Sequence, residues 1–236
     1  MTQPAGISTF DDVAVVMITR NEQAAIAKVI ADAQEALPGA EVIIVDGSSD
    51  ETPQIAAASG AIVIPEPKGG PAPALLCALQ ASRRPIVVTV DADDTYPPEA
   101  FPALVEIIRS GGDVAGTDRL GSRPPTTMPL ANWLANKGFN VLASVRVGRR
   151  LRDVHSGQRA YRRSVIEAFD WDVSGFAFPV DLLLWPAYAG YTISEIPITY
   201  RERIGETSLV RWESGKQTVR RLLRSGRRIS RRPFVT

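Results

Sequence analysis

Four short runs of aliphatic and β-branched residues, at 13–19, 42–45, 62–64 and 86–90, alternate with stretches whose apolar residues recur at helical spacing. Strands that are apolar throughout, not only at every second residue, are buried on both faces. That requires a parallel sheet covered by helices on either side. Strand, helix, strand, helix, strand, helix, strand is the order of a doubly wound α/β sheet. In such a sheet ligands bind beyond the carboxyl ends of the strands, so the residues after each run carry the functional information.

The fourth run carries the most. Residues 86–99 read IVVTVDADDTYPPE, with Asp91, Asp93 and Asp94 directly after the strand. Two Asp separated by one residue suit a hard divalent cation, Mg2+ or Mn2+, which takes few protein carboxylates and leaves room for phosphate oxygens. A solvated acidic turn is the plainer reading of such a pair alone, and Asp94 reads as a solvated neighbour in either case. Thr19-Arg20-Asn21-Glu22 follows the first run and Asp46-Gly47-Ser48-Ser49-Asp50-Glu51-Thr52 the second. Polar exits from a core explain any one of these; three in one crevice make a nucleotide-sized site.

The connecting helices are set by spacing and stop signals. Arg20 to Glu22 open a helix with Ile26, Val29, Ile30, Ala33 and Leu37 on one face, ended by Pro38-Gly39. Asp50 or Thr52 caps a helix before Pro53, and a Gly/Pro-rich loop at 65–73 precedes a helix at 74–81. Phe101, Leu104, Val105 and Ile108 share a helix face, and residues 114–117 form a strand that exits at Asp118-Arg119. A long helix at 130–147 puts Leu130, Leu134, Val141 and Val145 on one face and Asn136, Lys137, Asn140 and Ser144 on another, with Trp133 toward the polar side. Helices at 163–169 and 178–191, the second headed by Asp181, and a strand at 193–200 complete the pattern.

Length and charge narrow the class. A chain of 236 residues makes one α/β domain with a proper core, and 27 Lys plus Arg against 26 Asp plus Glu leave the net charge uninformative. The distribution is not even: eight basic residues and no acid lie between Lys216 and Arg232. On a helical wheel Val219, Leu222, Leu223 and Ile229 face one way and Arg220, Arg221, Arg224, Arg227, Arg228 and Arg231 the other. That pattern fits a helix lying in an anionic membrane surface, or an ordinary surface helix docked by its apolar stripe. No basic patch interleaved with aromatics supports nucleic-acid binding. The lone Cys77, among Ala74, Leu75, Leu76 and Leu79, excludes an internal disulfide and reads as a buried thiol in a reducing compartment. Neither a signal-peptide pattern nor an apolar run of about 18 residues is present, so membrane contact is expected to be peripheral.

Taken in order, TRNE, VDGSSDET, DADD, DVHSGQRAYRR, EIPITY and RIGETSL resemble the inverting glycosyltransferases of family 2. Within that family they are similar to the dolichyl-phosphate mannose synthase group and related polyprenyl-phosphate glycosyltransferases. The resemblance implies a GT-A fold: a single Rossmann-like domain at 13–210, with a mostly parallel central sheet flanked by helices. A flexible N-terminus at 1–12 precedes it and a basic amphipathic tail at 211–236 comes after it. It implies that Thr19, Asn21, Glu22, Asp46, Ser48, Asp91, Arg119 and Ser156 bind the nucleotide sugar. Asp91 and Asp93 hold the metal, with His155 a further candidate. Asp93, Asp153, Arg159, Asp181 and Arg203 are the catalytic candidates, and for Arg119, Arg159 and Arg203 an ordinary ion pair or solvated arginine is an equal alternative taken singly. The chain departs from the family in three places. It has Asp-Gly-Ser where Asp-Asp-Gly-Ser is usual, Thr95 where many relatives have Gln, and Thr207-Ser208-Leu209 where the last motif often carries Lys.

The expected activity is metal-dependent transfer of a hexose from a nucleotide diphosphate sugar to a polyprenyl phosphate at the cytoplasmic membrane face. An anionic membrane surface would be met through the tail, with a membrane-protein partner or a second copy as possible associates. A phosphate acceptor is already anionic and needs no strong base. A hydroxyl acceptor, soluble or lipid, needs one, for which Asp153 and Asp181 are the candidates. A catalytically silent nucleotide-sugar-binding subunit is the alternative from another class.

Overall fold

The structure is a computed structural model, and it describes residues 10–121, 124, 126–173, 178–204 and 211–224. The element order is β1 (Val13–Thr19), α1 (Ile26–Ala36), β2 (Glu41–Asp46), α2 (Thr52–Ala58), β3 (Ile62–Pro65), α3 (Pro71–Ala81), β4 (Ile86–Thr89), α4 (Ala100–Arg109) and β5 (Val114–Asp118). Then come α5 (Leu130–Val147), β6 (Arg159–Arg162), α6 (Arg163–Glu167), α7 (Phe178–Tyr188), β7 (Ile193–Pro197) and α8 (Arg211–Arg224). One seven-stranded sheet has the order β3-β2-β1-β4-β6-β5-β7. β1 pairs in parallel with β2 and β4, β2 with β3 and β5 with β7, whereas β6 runs antiparallel between β4 and β5. The sheet is thus mostly parallel, as expected.

Burial on both faces explains the continuous apolar runs. Val13, Val15 and Met17 of β1 join one core with Ile26, Ile30, Leu104 and Val105, under α1 and α4. Ala14 and Val16 join the other with Ala78, Leu79, Val165, Phe178 and Leu183, under α3, α6 and α7. The parallel strands β1, β2, β4 and β5 end on one edge, and that is where their polar exits gather.

Several boundaries differ from expectation for local reasons. α1 starts at Ile26, not Arg20, because Asn21 takes φ 59°, a left-handed conformation that breaks the helix, while its Oδ1 accepts from Ser49 N at 2.9 Å. α3 begins at Pro71, since prolines fit a first helical turn that has no N–H partner to lose. Asp50 Oδ1 accepts from Thr52 N at 3.0 Å at the start of α2. The strand β6 was not expected, and its sequence Arg-Ala-Tyr-Arg shows why: it opens on a buried, charged arginine.

α5 keeps its expected limits but turns its faces over. Asn140 and Ala143 are buried, whereas Leu130, Leu134, Val141 and Val145 are exposed. The polar face is drawn inward by backbone groups of the segment after the helix. Asn140 Oδ1 accepts from Val154 N at 3.0 Å, its Nδ2 donates to Arg152 O, and Ser144 Oγ accepts from Leu151 N at 2.9 Å. Trp133 donates to Leu120 O at 2.7 Å. No helix among the described residues is long and apolar enough to cross a membrane. Residues 1–9 of the expected N-terminus, the motif at 205–208 and the tail after 224 lie outside the described residues.

Candidate active site

A cavity of about 570 Å3 opens beyond the ends of β1, β4 and β5, lined among others by Asp91, Asp93, Arg119, His155, Arg201 and Arg203. α3 contributes Ala72 and Leu75 to its wall, α5 Asn132 and Asn136, and α8 Thr218. The strand ends of the sheet, together with these helices, therefore bring Asp91, Asp93, Arg119, His155 and Arg203 into one wall.

Asp91 and Asp93 differ in their surroundings. Asp91 is open to the cavity yet recessed among protein atoms, and among the described residues it has no hydrogen-bond or ion-pair partner. This recess, and then the neighbouring Asp93, push its carboxyl above the ordinary carboxylate range, against Arg119, Arg203 and Arg159. Asp93 is buried: Oδ1 accepts from Thr95 Oγ1 at 2.6 Å and Thr95 N at 3.2 Å, and Oδ2 lies 3.1 Å from Arg203 Nη1. Asp94 is not a solvated neighbour. Its left-handed backbone, φ 62°, turns the side chain away to Lys28 Nζ at 2.8 Å and Arg201 Nη1 at 3.5 Å.

The pair fits a divalent cation. Two hard oxygen donors repel each other at the foot of the cavity, one of them with free lone pairs, and a cation there relieves the repulsion. Among the described residues no three His, Cys, Asp or Glu side chains converge to hold a metal by themselves. A cation at Asp91 and Asp93 would complete its shell from ligand oxygens and water, as Mg2+ habitually does. His155 does not join them in a three-residue cluster. Its Nε2 is 2.9 Å from Thr218 Oγ1 and its ring lies 5.2 Å from that of Phe139. Burial, then the charge of Arg119, depress His155 to about 4, so the ring is neutral near pH 7.

Of the expected nucleotide residues, Asp91 and Arg119 line the cavity, whereas Thr19, Asn21, Glu22, Asp46 and Ser48 do not and are bonded together where β1 and β2 end. Asp46 Oδ1 accepts from Thr19 Oγ1 at 2.7 Å and from Ser48 Oγ at 2.6 Å, and Oδ2 accepts from Ser48 N at 3.1 Å. Ser48 Oγ also accepts from Asn21 N at 2.8 Å, and Glu22 N donates to Thr52 Oγ1 at 2.9 Å. Glu22 reaches the cavity side through Arg203, whose Nη2 donates to Oε1 at 2.6 Å. Burial first, and Asp93 among its neighbours, raise Glu22 despite that arginine.

Four motif residues lie behind the wall. Asp153 receives Arg119 as a fork, Nε to Oδ2 at 2.7 Å and Nη2 to Oδ1 at 2.9 Å, with Arg119 N at 3.1 Å and His155 N at 3.2 Å besides. Arg159 is 1% exposed and spends its guanidinium on backbone carbonyls, Nη1 on Pro179 at 2.6 Å and Nη2 on Val154 at 2.8 Å. Ser156 Oγ is 2.7 Å from Thr117 Oγ1, and buried Asp181 is paired with Arg221 of α8. None of the four lines the cavity.

Other groups enter the site without having been expected there. Gly157 N donates to Tyr96 Oη at 2.6 Å, and a Cβ at Gly157 would come within 2.5 Å of Asp91 Oδ1, so a larger residue there would displace the Asp91 carboxylate. Arg119 lies over the Tyr200 ring, its guanidinium carbon 5.3 Å from the centroid. Arg201 and Tyr200 end the chain's return to the sheet and were signalled only by their place after a strand. Thr218 carried no signal, because its contact depends on how α8 docks.

A mostly parallel sheet with two acids and several arginines at its strand ends fits the glycosyltransferase architecture that the motifs imply, and sequence comparison places the chain in that class. Residues 14–169 match the family described as glycosyl transferase family 2, and the chain belongs to that family. It is 46% identical over 202 residues, 85% of this chain and 88% of that protein, to a dolichyl-phosphate hexose transferase of Haloferax volcanii. It is 27% identical over 219 residues, 85% of this chain and 81% of that protein, to a polyprenol monophosphomannose synthase of Mycolicibacterium smegmatis. Its fold is similar to that of glucosyl-3-phosphoglycerate synthase from Mycobacterium tuberculosis, solved with Mn2+, UDP and glucosyl-3-phosphoglycerate. The TM-score is 0.72 at 21% identity, over 95% of this chain and 85% of that one. The protein is a glycosyltransferase.

Proposed function

We propose that this enzyme transfers a hexose, with inversion, from a nucleotide diphosphate sugar to a polyprenyl phosphate. A phosphate oxygen of the acceptor bonds to the anomeric carbon as the bond from that carbon to the diphosphate oxygen breaks, and the electron pair leaves with the nucleoside diphosphate. One observation carries the choice of acceptor. Arg119, Arg201 and Arg203 line the cavity, whereas neither candidate base for a hydroxyl, Asp153 or Asp181, lines it, and each of the two is covered by an arginine. A wall with three guanidinium groups, whose one carboxylate without a partner, Asp91, is a candidate for the metal, suits an acceptor that arrives already ionised. The names of the Haloferax and Mycolicibacterium relatives support the same acceptor class.

Asp91 and Asp93 would hold Mg2+ or Mn2+, which when bound supplies charge neutralisation for the leaving diphosphate. The Mn2+ bound by the tuberculosis synthase supports a divalent ion in this fold. Thr19, Asn21, Glu22, Asp46 and Ser48 would receive the nucleotide where β1 and β2 end, and Arg203 would follow the charge that develops on the diphosphate. The site would work at the cytoplasmic membrane face, with the basic tail toward anionic lipid. The test is to incubate the protein with Mn2+, a panel of sugar nucleotides and polyprenyl phosphate, and to determine the anomeric configuration of the product. An α-linked donor should give a β-linked sugar phosphate, lost on chelation. A retained configuration, or transfer that survives chelation, would refute the mechanism.

A further inference from the structure

The outward face of α5 has no place in the chemistry above. Of its exposed residues, every one but Arg146 is Leu, Val, Ala or Gly. Leu130, Leu134, Val141 and Val145 fall within an arc of about 60° at ~100° per residue, and Val141 and Val145 are 65% and 75% exposed. α8 packs beside α5, where Arg146 Nη2 donates to Leu223 O at 3.2 Å, and it adds exposed Val219 and Leu223 to the same side. A soluble helix normally turns this stripe inward; here Asn140 and Ser144 occupy the inner side.

The surrounding charge is mainly basic, with Glu213 the one acid in the sequence of α5 and α8. No Asp or Glu occurs from Arg119 to Arg152, and Lys137, Arg146, Arg150, Lys216 and Arg220 stand on the two helices or directly after α5. We infer that the apolar face of α5, extended by Val219 and Leu223, inserts into an anionic lipid bilayer. Apolar side chains enter the acyl boundary while the basic residues meet the headgroups, as in a helix lying in the interface plane. Continuity with the cavity points the same way, since α5 gives Asn132 and Asn136 to the cavity wall and turns Leu130 and Leu134 outward. A lipid-linked phosphate would then pass from the bilayer along one helix to the site. A second copy is a poorer occupant, because a twofold contact through this face would set like charges against each other.

This inference rests on the polyprenyl-phosphate reading for its purpose, but its test needs no acceptor. The full chain is sedimented with vesicles of phosphatidylglycerol and phosphatidylcholine, and with phosphatidylcholine alone. Wild-type protein should sediment with the anionic vesicles, and Leu134→Gln, Val141→Gln and Val145→Gln together should weaken that binding by about tenfold or more while every basic residue remains. Val145→Gln alone, at the most exposed position, should give part of the loss with an unchanged melting temperature. Binding that persists in the triple variant would overturn the inference, as would wild-type protein that does not sediment or forms a dimer broken by the same substitutions. Failure of transfer to polyprenyl phosphate would strike the functional reading and leave the vesicle result standing.

Discussion

Arg203 joins Asp93 to Glu22, its Nη1 3.1 Å from Asp93 Oδ2 and its Nη2 2.6 Å from Glu22 Oε1. One guanidinium thus ties the loop after β7 to the ends of both β4 and β1. With Arg203→Ala, Asp93 and Glu22 lose their shared cation, and a group that would stabilise the leaving diphosphate goes with it. We expect kcat to fall about 10²-fold or more, with Arg203→Lys recovering little because an ammonium cannot fork to two acids. Steady-state kinetics of the two variants checks this.

Asp93→Ala should abolish transfer and leave the domain folded. Its carboxylate lines the cavity, where it serves Thr95 and Arg203. Mn2+ binding followed by electron paramagnetic resonance should weaken in parallel. Full activity in this variant would remove the metal assignment.

Asp153 and Arg119 are a stability element. Their side chains are 0% and 10% exposed, and truncating one member of such a pair costs about 3–5 kcal/mol, so Asp153→Ala should lower Tm by about 10 °C. Burial alone would raise the Asp153 carboxyl, but Arg119 overrides it and holds it below the usual range. Its contribution is therefore complete above the unfolded value of about 4 and is lost as pH falls through the lower folded value. Chemical denaturation between pH 3 and 7 reads this loss, which Asp153→Asn should remove.

His155 is the only histidine, so a single imidazole signal reports on it. With its value depressed to about 4, a carbon–proton NMR titration should show no inflection between pH 5.5 and 8. The unfolded chain takes up the proton first, so stability falls as pH drops from about 6.5 toward 4. A midpoint near 6.5 would mean that the ring is solvated and that α8 does not cover it.

The sheet was legible because burial on two faces forces apolar runs, and Asp91, Asp93, Thr19 and Asp46 were legible from their places at the ends of those runs. β6 was not, since Arg159 satisfies its charge on distant carbonyls that no local pattern announces. The same long-range pairing hid the placements of Asp153, Asp181 and Arg159. Each carries the residue type of a catalytic group, and only the fold brings its partner close enough to occupy it. Periodicity outlined α5 to the residue but could not say which face turns outward, because the backbone groups that draw in Asn140 and Ser144 lie beyond the helix.

The most direct measurement compares two acceptors that differ only in the phosphate. Protein, Mn2+ and labelled nucleotide sugar are incubated with vesicles carrying either polyprenyl phosphate or the corresponding polyprenol, and label is counted in the organic phase. Extractable label with polyprenyl phosphate and none with polyprenol is the predicted result. Equal or greater transfer to the polyprenol would contradict it, and would require Asp153 or Asp181 to leave its arginine and act as a base.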